Sequence, residues 1–181
     1  AWTLVGKRGG LVADVTYAVV VFLTIGGNSI LLVKQNGKYG LLDVNGKAVV
    51  DALYDEAYYD AKFIYLCKLA DGKHTTDIFD STANAVVKDV SGLVNSHIVQ
   101  KSGSVIYPCI QGEVGSVVKA DGAVHTSFLG QVRSAGWDDN LIIECDKEYF
   151  ICDLNAKRLI DDGYKFASVL RVTDKRTTAV A

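Results

Sequence analysis

The sequence predicts an all-β protein made of tandem antiparallel units of about 35 residues. Three observations support this prediction: an internal repeat, short apolar runs of strand length, and Asn-Gly or Asp-Gly pairs between those runs. Each unit of such an array supplies one supersecondary element, and stacking of the units buries the core.

The internal repeat is clearest between residues 38–50 and 149–160, which are offset by 110 positions and share Tyr, Asp, Asn and Lys. The match continues without a gap from 53–57 to 163–167. Weaker copies put the position of Asp43 also at 13, 80 and 119; with Asp43 and Asp153 the spacings are 30, 37, 39 and 34 residues. We therefore predict a single repeat domain over 1–181, with units near 1–29, 30–63, 64–97, 98–140 and 141–167 and a partial unit at 168–181.

Within a unit, one apolar strand at 30–33 leads through Asn36-Gly37 to a second at 39–42, and Asn45-Gly46 leads on to 48–50. The first of these strands recurs at 2–5, 64–67, 106–109, 141–144 and 169–172. Asn-Gly and Asp-Gly pairs favour two-residue type I′ hairpins, and they occur at 36–37, 45–46, 71–72 and 121–122. Only 51–63 has the composition for a turn or two of helix, and its 54–56 portion fits a fourth strand equally well.

Composition indicates an ordered soluble fold, with 49% hydrophobic and 22% charged residues. A net charge of −2 is too balanced for a non-specific nucleic-acid binder. The most apolar run, 17–25, is too short for a membrane-spanning helix. The chain starts at Ala1 without a basic leader region, which fits either a trimmed start or a removed export signal and leaves the compartment open.

The four cysteines fall on the repeat in positions that suit small apolar side chains. Cys67, Cys109 and Cys145 lie near the place of Val33, and Cys152 takes the place of Leu42. The chain has no Cys-x-x-Cys and no paired Cys/His spacing. We therefore predict reduced core cysteines, compatible with the cytoplasm, rather than disulfides or a metal site.

The segment 37–43, together with Asn45-Gly46-Lys47 and Tyr54-Asp55-Glu56, resembles the bacterial WG-type (KWG) repeat. Units of that family run Gly-Lys-Trp-Gly-Leu-Ile-Asp, then a Gly-Lys turn, an aliphatic pair and a closing Tyr-Asp-Glu. Tyr39 and Tyr149 stand where the family has Trp, and Phe150 replaces the following Gly in one copy. The resemblance implies an all-β array with a binding role, and it carries over no active-site residues.

Four short strands in each unit would form a small blade, so propeller-like closure is favoured, with an open superhelical stack of hairpins as the alternative. Closure removes the exposed sheet edges that an open array must protect. Pro108 agrees with this, because proline in sheets is confined mainly to edge strands and the first strand of a blade is an edge.

Residues with catalytic chemistry are few. The sequence contains no nucleophile elbow, phosphate-binding loop, dinucleotide fingerprint or His-Glu-x-x-His motif, so no cofactor, metal or catalytic residue is predicted. His74, His97 and His125 lie in different units and are expected to be solvated or packed. The acidic pairs Asp138-Asp139 and Asp161-Asp162 fit turns better than a glycosidase acid and base, since adjacent strand residues point to opposite faces.

Conspicuous residues off the repeat are the better functional candidates, because residues on the repeat are needed for packing. These candidates are the aromatic and acidic residues Tyr58, Tyr59, Trp137, Asp138 and Asp139. The alternative is that the tyrosines divide between core and surface and that Trp137 seals a join between units. The extra residues 91–104 are expected to form a rim loop, which is a further contact candidate.

Two function classes follow. The first is a non-enzymatic binding module for a protein or glycan partner, since a rigid array without catalytic motifs is a display surface. The alternative is a carbohydrate-binding or carbohydrate-active domain with a pocket of tyrosines and acids. Convergence of two carboxylates in one pocket would favour the enzyme, and a flat rim would favour the module.

Overall fold

The computed structural model describes residues 1–5, 10–80, 85–135, 139–160, 168–173 and 176–180. Every regular element in these ranges is a β-strand, and the strands form small antiparallel sheets, which confirms the all-β class. The helical turn considered within 51–63 is wrong, because strand pairing continues through that segment on either side of Asp55. The chain divides into two compact units, residues 1–88 and 89–181.

The first unit begins with a two-stranded sheet, followed by two four-stranded sheets in which spatial order equals chain order. The two-stranded sheet consists of β1 (Trp2–Val5) and β2 (Leu11–Tyr17). The next sheet consists of β3 (Val19–Ile25), β4 (Asn28–Gln35), β5 (Lys38–Leu42) and β6 (Ala48–Tyr54). The third consists of β7 (Glu56–Tyr59), β8 (Phe63–Ala70), β9 (Lys73–Asp80) and β10 (Ala85–Ser91).

The core of the first unit explains why β4 is a continuous apolar run rather than an alternating one. On one face Ile30 and Leu32 pack with Leu66 and other residues of sheet β7–β10. On the opposite face Leu31 and Val33 pack with Tyr17 at the end of β2. Because both faces of the middle strand are covered, every position of the run is buried.

The second unit holds a four-stranded sheet, a three-stranded sheet and a two-stranded sheet. The four-stranded sheet consists of β11 (Ile98–Val99), β12 (Val105–Gln111), β13 (Val114–Lys119) and β14 (Val124–Leu129). The three-stranded sheet consists of β15 (Gln131–Ala135), β16 (Leu141–Cys145) and β17 (Glu148–Cys152). The two-stranded sheet consists of β18 (Ser168–Thr173) and β19 (Arg176–Val180). Ile106 and Val117 of the first sheet pack with Leu141 and Ile143 of the second.

The strands at 30–33, 64–67, 106–109 and 141–144, which the sequence predicts as the first of a unit, lie second in their sheets. The strand that opens the predicted unit 30–63 is β4, the second strand of its sheet, and β8 and β12 hold the same place in theirs. A tandem repeat can be divided at any strand, so its periodicity gives the length of a unit but not its starting strand. Pro108 therefore lies on an inner strand and not at an edge. It pairs with Val117 of β13, and on its other side the two residues of β11 pair only with Val105 and Ile106.

The turn prediction is correct for two of its four Asn-Gly or Asp-Gly pairs. Asn36-Gly37 and Asp71-Gly72 have positive φ at both positions and close two-residue hairpins, as type I′ turns do. Asn45-Gly46 and Asp121-Gly122 also lie at hairpin tips, but only the glycine has positive φ. There the turn spans five residues, closed at 43–47 by the Asp43 amide donating to Lys47 O at 2.8 Å.

This five-residue turn recurs and is direct structural evidence of the repeat. In the first copy the Asp43 carboxylate accepts from the amides of Asn45 and Lys47 at 2.8 and 2.9 Å. In the copy at 153–157 the Asp153 carboxylate accepts from the amides of Asn155 and Lys157, both at 2.9 Å. The shared Asp and Asn in the two sequence copies thus correspond to the same local structure.

Three of the four cysteines occupy the buried apolar positions that the repeat predicts for them. Cys67, Cys109 and Cys152 are buried free thiols, and Cys152 joins a core cluster with Phe150. Cys145 is also a free thiol but is half-buried, because it ends β16 next to the exposed turn at 146–147. The expectation that Cys145 is a core residue is therefore correct only in part.

Candidate functional site

Tyr58 and Tyr59 lie side by side on β7, at the edge of sheet β7–β10. They pair across the strands with Tyr65 and Ile64 of β8, and their side chains point to opposite faces of the sheet. Tyr58 is half-buried, whereas Tyr59 is 51% exposed. Because side chains alternate between the two faces along a strand, the Tyr58 ring is packed and the Tyr59 ring is accessible.

Tyr58 is held by an acid on its own strand. Its hydroxyl donates to Oε2 of Glu56 at 2.7 Å, which is possible because residues two apart on a strand share a face. This hydrogen bond, together with partial burial, raises the pKa of Tyr58 to about 12. The phenol therefore stays protonated and acts as a fixed donor to Glu56.

Two more tyrosines of this sheet region donate to carboxylates. The Tyr54 hydroxyl donates to Oδ2 of buried Asp77 at 2.6 Å. The Tyr65 hydroxyl donates to Oδ2 of Asp60, whose Oδ1 accepts from the backbone amide of Lys62 at 2.8 Å and from that of Phe63. Buried phenols and carboxylates require such partners, so these acids serve to hold aromatic side chains and a loop in place.

Asp55 links two elements of the repeat motif. Its carboxylate accepts from the ammonium of Lys38 on β5 and, at 3.0 Å, from the amide of Leu69 on β8. Both bonds favour the charged form and hold the pKa of Asp55 below its usual value, with the Lys38 bond contributing most. The motif residues Lys38 and Asp55 thus join sheet β3–β6 to sheet β7–β10.

The remaining candidates belong to the second unit. Trp137 and Asp138 lie outside the described residues. Asp139 has a positive φ of 62°, and its Oδ1 accepts from the amide of Lys101 at 2.9 Å. This bond ties the segment before β16 to the turn at 100–104. Asp139 thus has a structural partner, and Tyr58 and Tyr59 lie in the other unit.

Sequence inspection missed Asp77 as a member of this tyrosine and acid group. It lies within the buried stretch of β9, between Thr76 and Ile78, and is 5% exposed. An acid inside a strand that is otherwise buried is the signal that could have identified it, since burial of a carboxylate requires a donor.

The histidines do not take part in a recognisable metal centre within the part of the chain that the structure describes. His74 lies in the first unit, and His97 and His125 lie in the second. Across the described ranges, no three His, Cys, Asp or Glu side chains come together in a way that could hold a metal ion.

Comparison with known proteins adds no family assignment: the chain matches no protein-family model, and a search of curated proteins finds no match. Over the described ranges, no helix has the length and apolar character needed to cross a membrane. Functional inference therefore depends on the residues and the sheets themselves.

Proposed function

We propose that this chain is a non-enzymatic binding module built from WG-type β repeats, which recognises a protein or glycan through exposed aromatic side chains. Support comes from the sequence motif and from the five-residue turns that recur at 43–47 and 153–157. Antiparallel four-stranded sheets in chain order are also what propeller blades are made of, so propeller-like closure belongs to this proposal.

The observation that carries the proposal is the exposed ring of Tyr59 on a rigid edge strand. Strand β8 behind it is buried at Ile64, Tyr65 and Leu66, so the backbone that presents Tyr59 is firmly held. A preorganised aromatic side chain with about half its surface accessible loses little entropy on binding and still has area to bury. Tyr59 is therefore the first anchor residue to test.

A binding role fits the acids of this region better than a catalytic one. Glu56, Asp60 and Asp77 each accept from a tyrosine hydroxyl. A glycosidase requires one carboxyl group that gives up a proton and a second that faces the sugar. Carboxylates that already hold phenols are suited to positioning aromatic rings, and this favours recognition over bond cleavage.

Carbohydrate binding is the second candidate, favoured by the exposed aromatic ring of Tyr59 on β7. An exposed tyrosine ring supplies a stacking surface for a sugar. Tyr58 and Glu56 point to the opposite face of β7, where they bond to each other, so a sugar on the Tyr59 ring would find its polar partners elsewhere on the Tyr59 face. Trp137, Asp138 and Asp139 are proposed as further contact residues of the same module.

The test compares Tyr59→Ala with Phe22→Ala, which removes an aromatic ring that is 62% exposed on β3 of the same unit. Each variant is screened on a glycan array and used as bait in a pull-down with mass spectrometry. We expect Tyr59→Ala to lose the binding seen for the parent chain and Phe22→Ala to keep it, with melting temperatures close to the parent.

Signals on the glycan array that depend on Tyr59 would support the carbohydrate candidate, and protein partners that depend on Tyr59 would support the protein one. Binding that survives Tyr59→Ala would contradict the assignment of the binding surface to Tyr59 on β7. Trp137→Ala, tested in the same way, then decides whether the 137–139 segment carries the contact.

A further inference from the structure

A pocket of about 380 Å³ lies in the second unit, at one end of sheet β11–β14. The two five-residue turns at 100–104 and 119–123 lie at this end of the sheet. Its apolar lining comes from Val105 and Ile106 at the start of β12 and from Leu154 in the turn after β17. This volume lies within the range of small-molecule sites in proteins. The pocket is separate from Tyr59, which belongs to the first unit.

The segment that departs from the repeat explains why space is available here. In sheet β3–β6, β4 begins three residues before Leu31, which pairs with Leu42 at the end of β5. In sheet β11–β14, β12 begins only two residues before Tyr107, which pairs with Val118 at the place of Leu42. The β11–β12 hairpin therefore ends one residue earlier and leaves the apolar start of β12 beside an opening.

The rim of the pocket is polar and carries one ammonium and one carboxylate group. Gln100 and Ser104 line it from one turn, and Lys119 and Asp121 line it from the other, with His125 following on β14. Oδ1 of Asp121 accepts from the Ala123 amide at 2.9 Å, so this carboxylate is partly occupied by its own turn.

Lys119 is the rim residue whose positive charge can bind an anionic ligand. Among the described residues its ammonium makes no ion pair, and the exposed imidazole of His125 makes none either. An ammonium without a protein partner at the rim of an apolar pocket is complementary to an anion that carries an apolar group.

We propose that this pocket binds a small organic carboxylate, with its apolar body against Val105, Ile106 and Leu154 and its carboxylate at Lys119. Gln100 and Ser104 supply neutral hydrogen-bond donors at the opposite rim. This site is independent of the Tyr59 surface, so either proposal can fail without the other.

The first experiment measures calorimetric binding of 4-phenylbutyrate and of its neutral amide to the full chain. We expect saturable binding of both, with the acid tighter by roughly two- to fivefold, the range that a solvent-exposed ion pair provides. Lys119→Gln should abolish the difference between acid and amide. Lys47→Gln removes an exposed lysine from a five-residue turn of the first unit and should leave the difference unchanged.

The second experiment fills the pocket. Ala120 and Ala123 are both exposed in the same turn, but only Ala120 lines the pocket. Ala120→Phe should abolish binding of both probes, and Ala123→Phe should not. If Ala120→Phe lowers the melting temperature, Ser104→Phe blocks the pocket from the opposite rim.

Three results would overturn the proposal: no saturable binding of either probe to the folded parent chain, equal affinity for acid and amide, or unchanged affinity after the pocket is filled. Retention of the acid preference in Lys119→Gln would also overturn the assignment of the carboxylate to Lys119.

Discussion

The backbone of Ala52 on β6 passes so close to Gly40 on β5 that a Cβ atom on Gly40 would lie 2.7 Å from the Ala52 nitrogen. Gly40 follows Tyr39 at the position where the WG-type repeat, which this segment resembles, has its glycine. In the copy at 149–160 this position is Phe150, on β17, which ends a three-stranded sheet among the described residues. Phe150 packs into the core and under the Arg158 guanidinium.

Gly40→Ala should destabilise the protein by about 1–3 kcal/mol, because the added methyl group meets backbone atoms that cannot rotate away. Gly10→Ala is the control, since a Cβ there has nothing within 4 Å and Gly10 does not have positive φ. Urea unfolding of the two variants gives the comparison. Equal stability of Gly40→Ala and Gly10→Ala would mean that the close approach of β6 is not maintained.

The strands and the hairpin tips could be predicted from the sequence because local chemistry determines them. Apolar runs such as 30–33 are visible without any knowledge of their neighbours, and Asn36-Gly37 specifies its turn through backbone conformation alone. The sequence predicts the wrong turn type for Asn45-Gly46, because the carboxylate of Asp43, two residues earlier, accepts hydrogen bonds from two backbone amides and stabilises a longer turn.

The candidate site was only partly predictable because its contacts join residues far apart in the chain. Tyr58 and Tyr59 are identifiable as an aromatic pair, but their different exposure depends on which face of β7 is covered. The bonds from Tyr54 to Asp77 and from Lys38 to Asp55 span 23 and 17 positions, and no local pattern indicates them. The pocket beside Lys119 depends on the length of the β11–β12 hairpin. From the sequence, the extra residues 91–104 indicate only a rim loop and not a pocket.

Exchange of glycine and alanine between two copies of the five-residue turn should change stability in opposite directions. Gly46 has φ of 81°, and Ala156 has φ of 61° at the equivalent position. A left-handed conformation costs a residue with a Cβ about 1–2 kcal/mol. Gly46→Ala should therefore destabilise by about 1 kcal/mol. Ala156→Gly should stabilise by less than about 1 kcal/mol, because added unfolded-chain entropy and the lost packing of the Ala156 methyl group offset part of the relieved strain.

Chemical denaturation of the two single variants and of the double variant tests this prediction. The turns lie in different units, so the two effects should add in the double variant. A destabilised Ala156→Gly variant would show that packing of the Ala156 methyl group against the core outweighs the relief of its left-handed strain.

Asp55 should make stability depend on pH at the acid end. The Lys38 bond first, and the Leu69 amide second, lower the pKa of Asp55 in the folded state below its ordinary value of 3.8. Since the folded-state pKa is the lower one, the contribution is fully present above about pH 4 and is lost as pH falls through the folded pKa. Asp55→Asn should flatten this part of the pH profile.

Urea midpoints between about pH 2 and pH 7 provide the measurement. Lys38→Gln removes the larger cause of the shift and should flatten the profile in the same direction, and the double variant should add little to Asp55→Asn. Parallel profiles for the parent chain and Asp55→Asn would contradict the role given to this bond.

Native thiol labelling should distinguish Cys145 from the other three cysteines. Cys145 is half-buried beside an exposed turn, whereas Cys67 lies against Thr76, with Sγ and Oγ1 at 3.3 Å, and the Cys109 thiol donates to the Ser91 carbonyl at 3.1 Å. Burial also raises the pKa of the Cys152 thiol, which lowers its thiolate fraction.

We expect Cys145 to react first with a thiol reagent and the remaining thiols only after denaturant is added. Cys145→Ser should remove the fast phase and keep the slow one. Persistence of fast labelling in Cys145→Ser would show that a second cysteine is accessible, and fewer than four thiols in denaturant would reveal a disulfide.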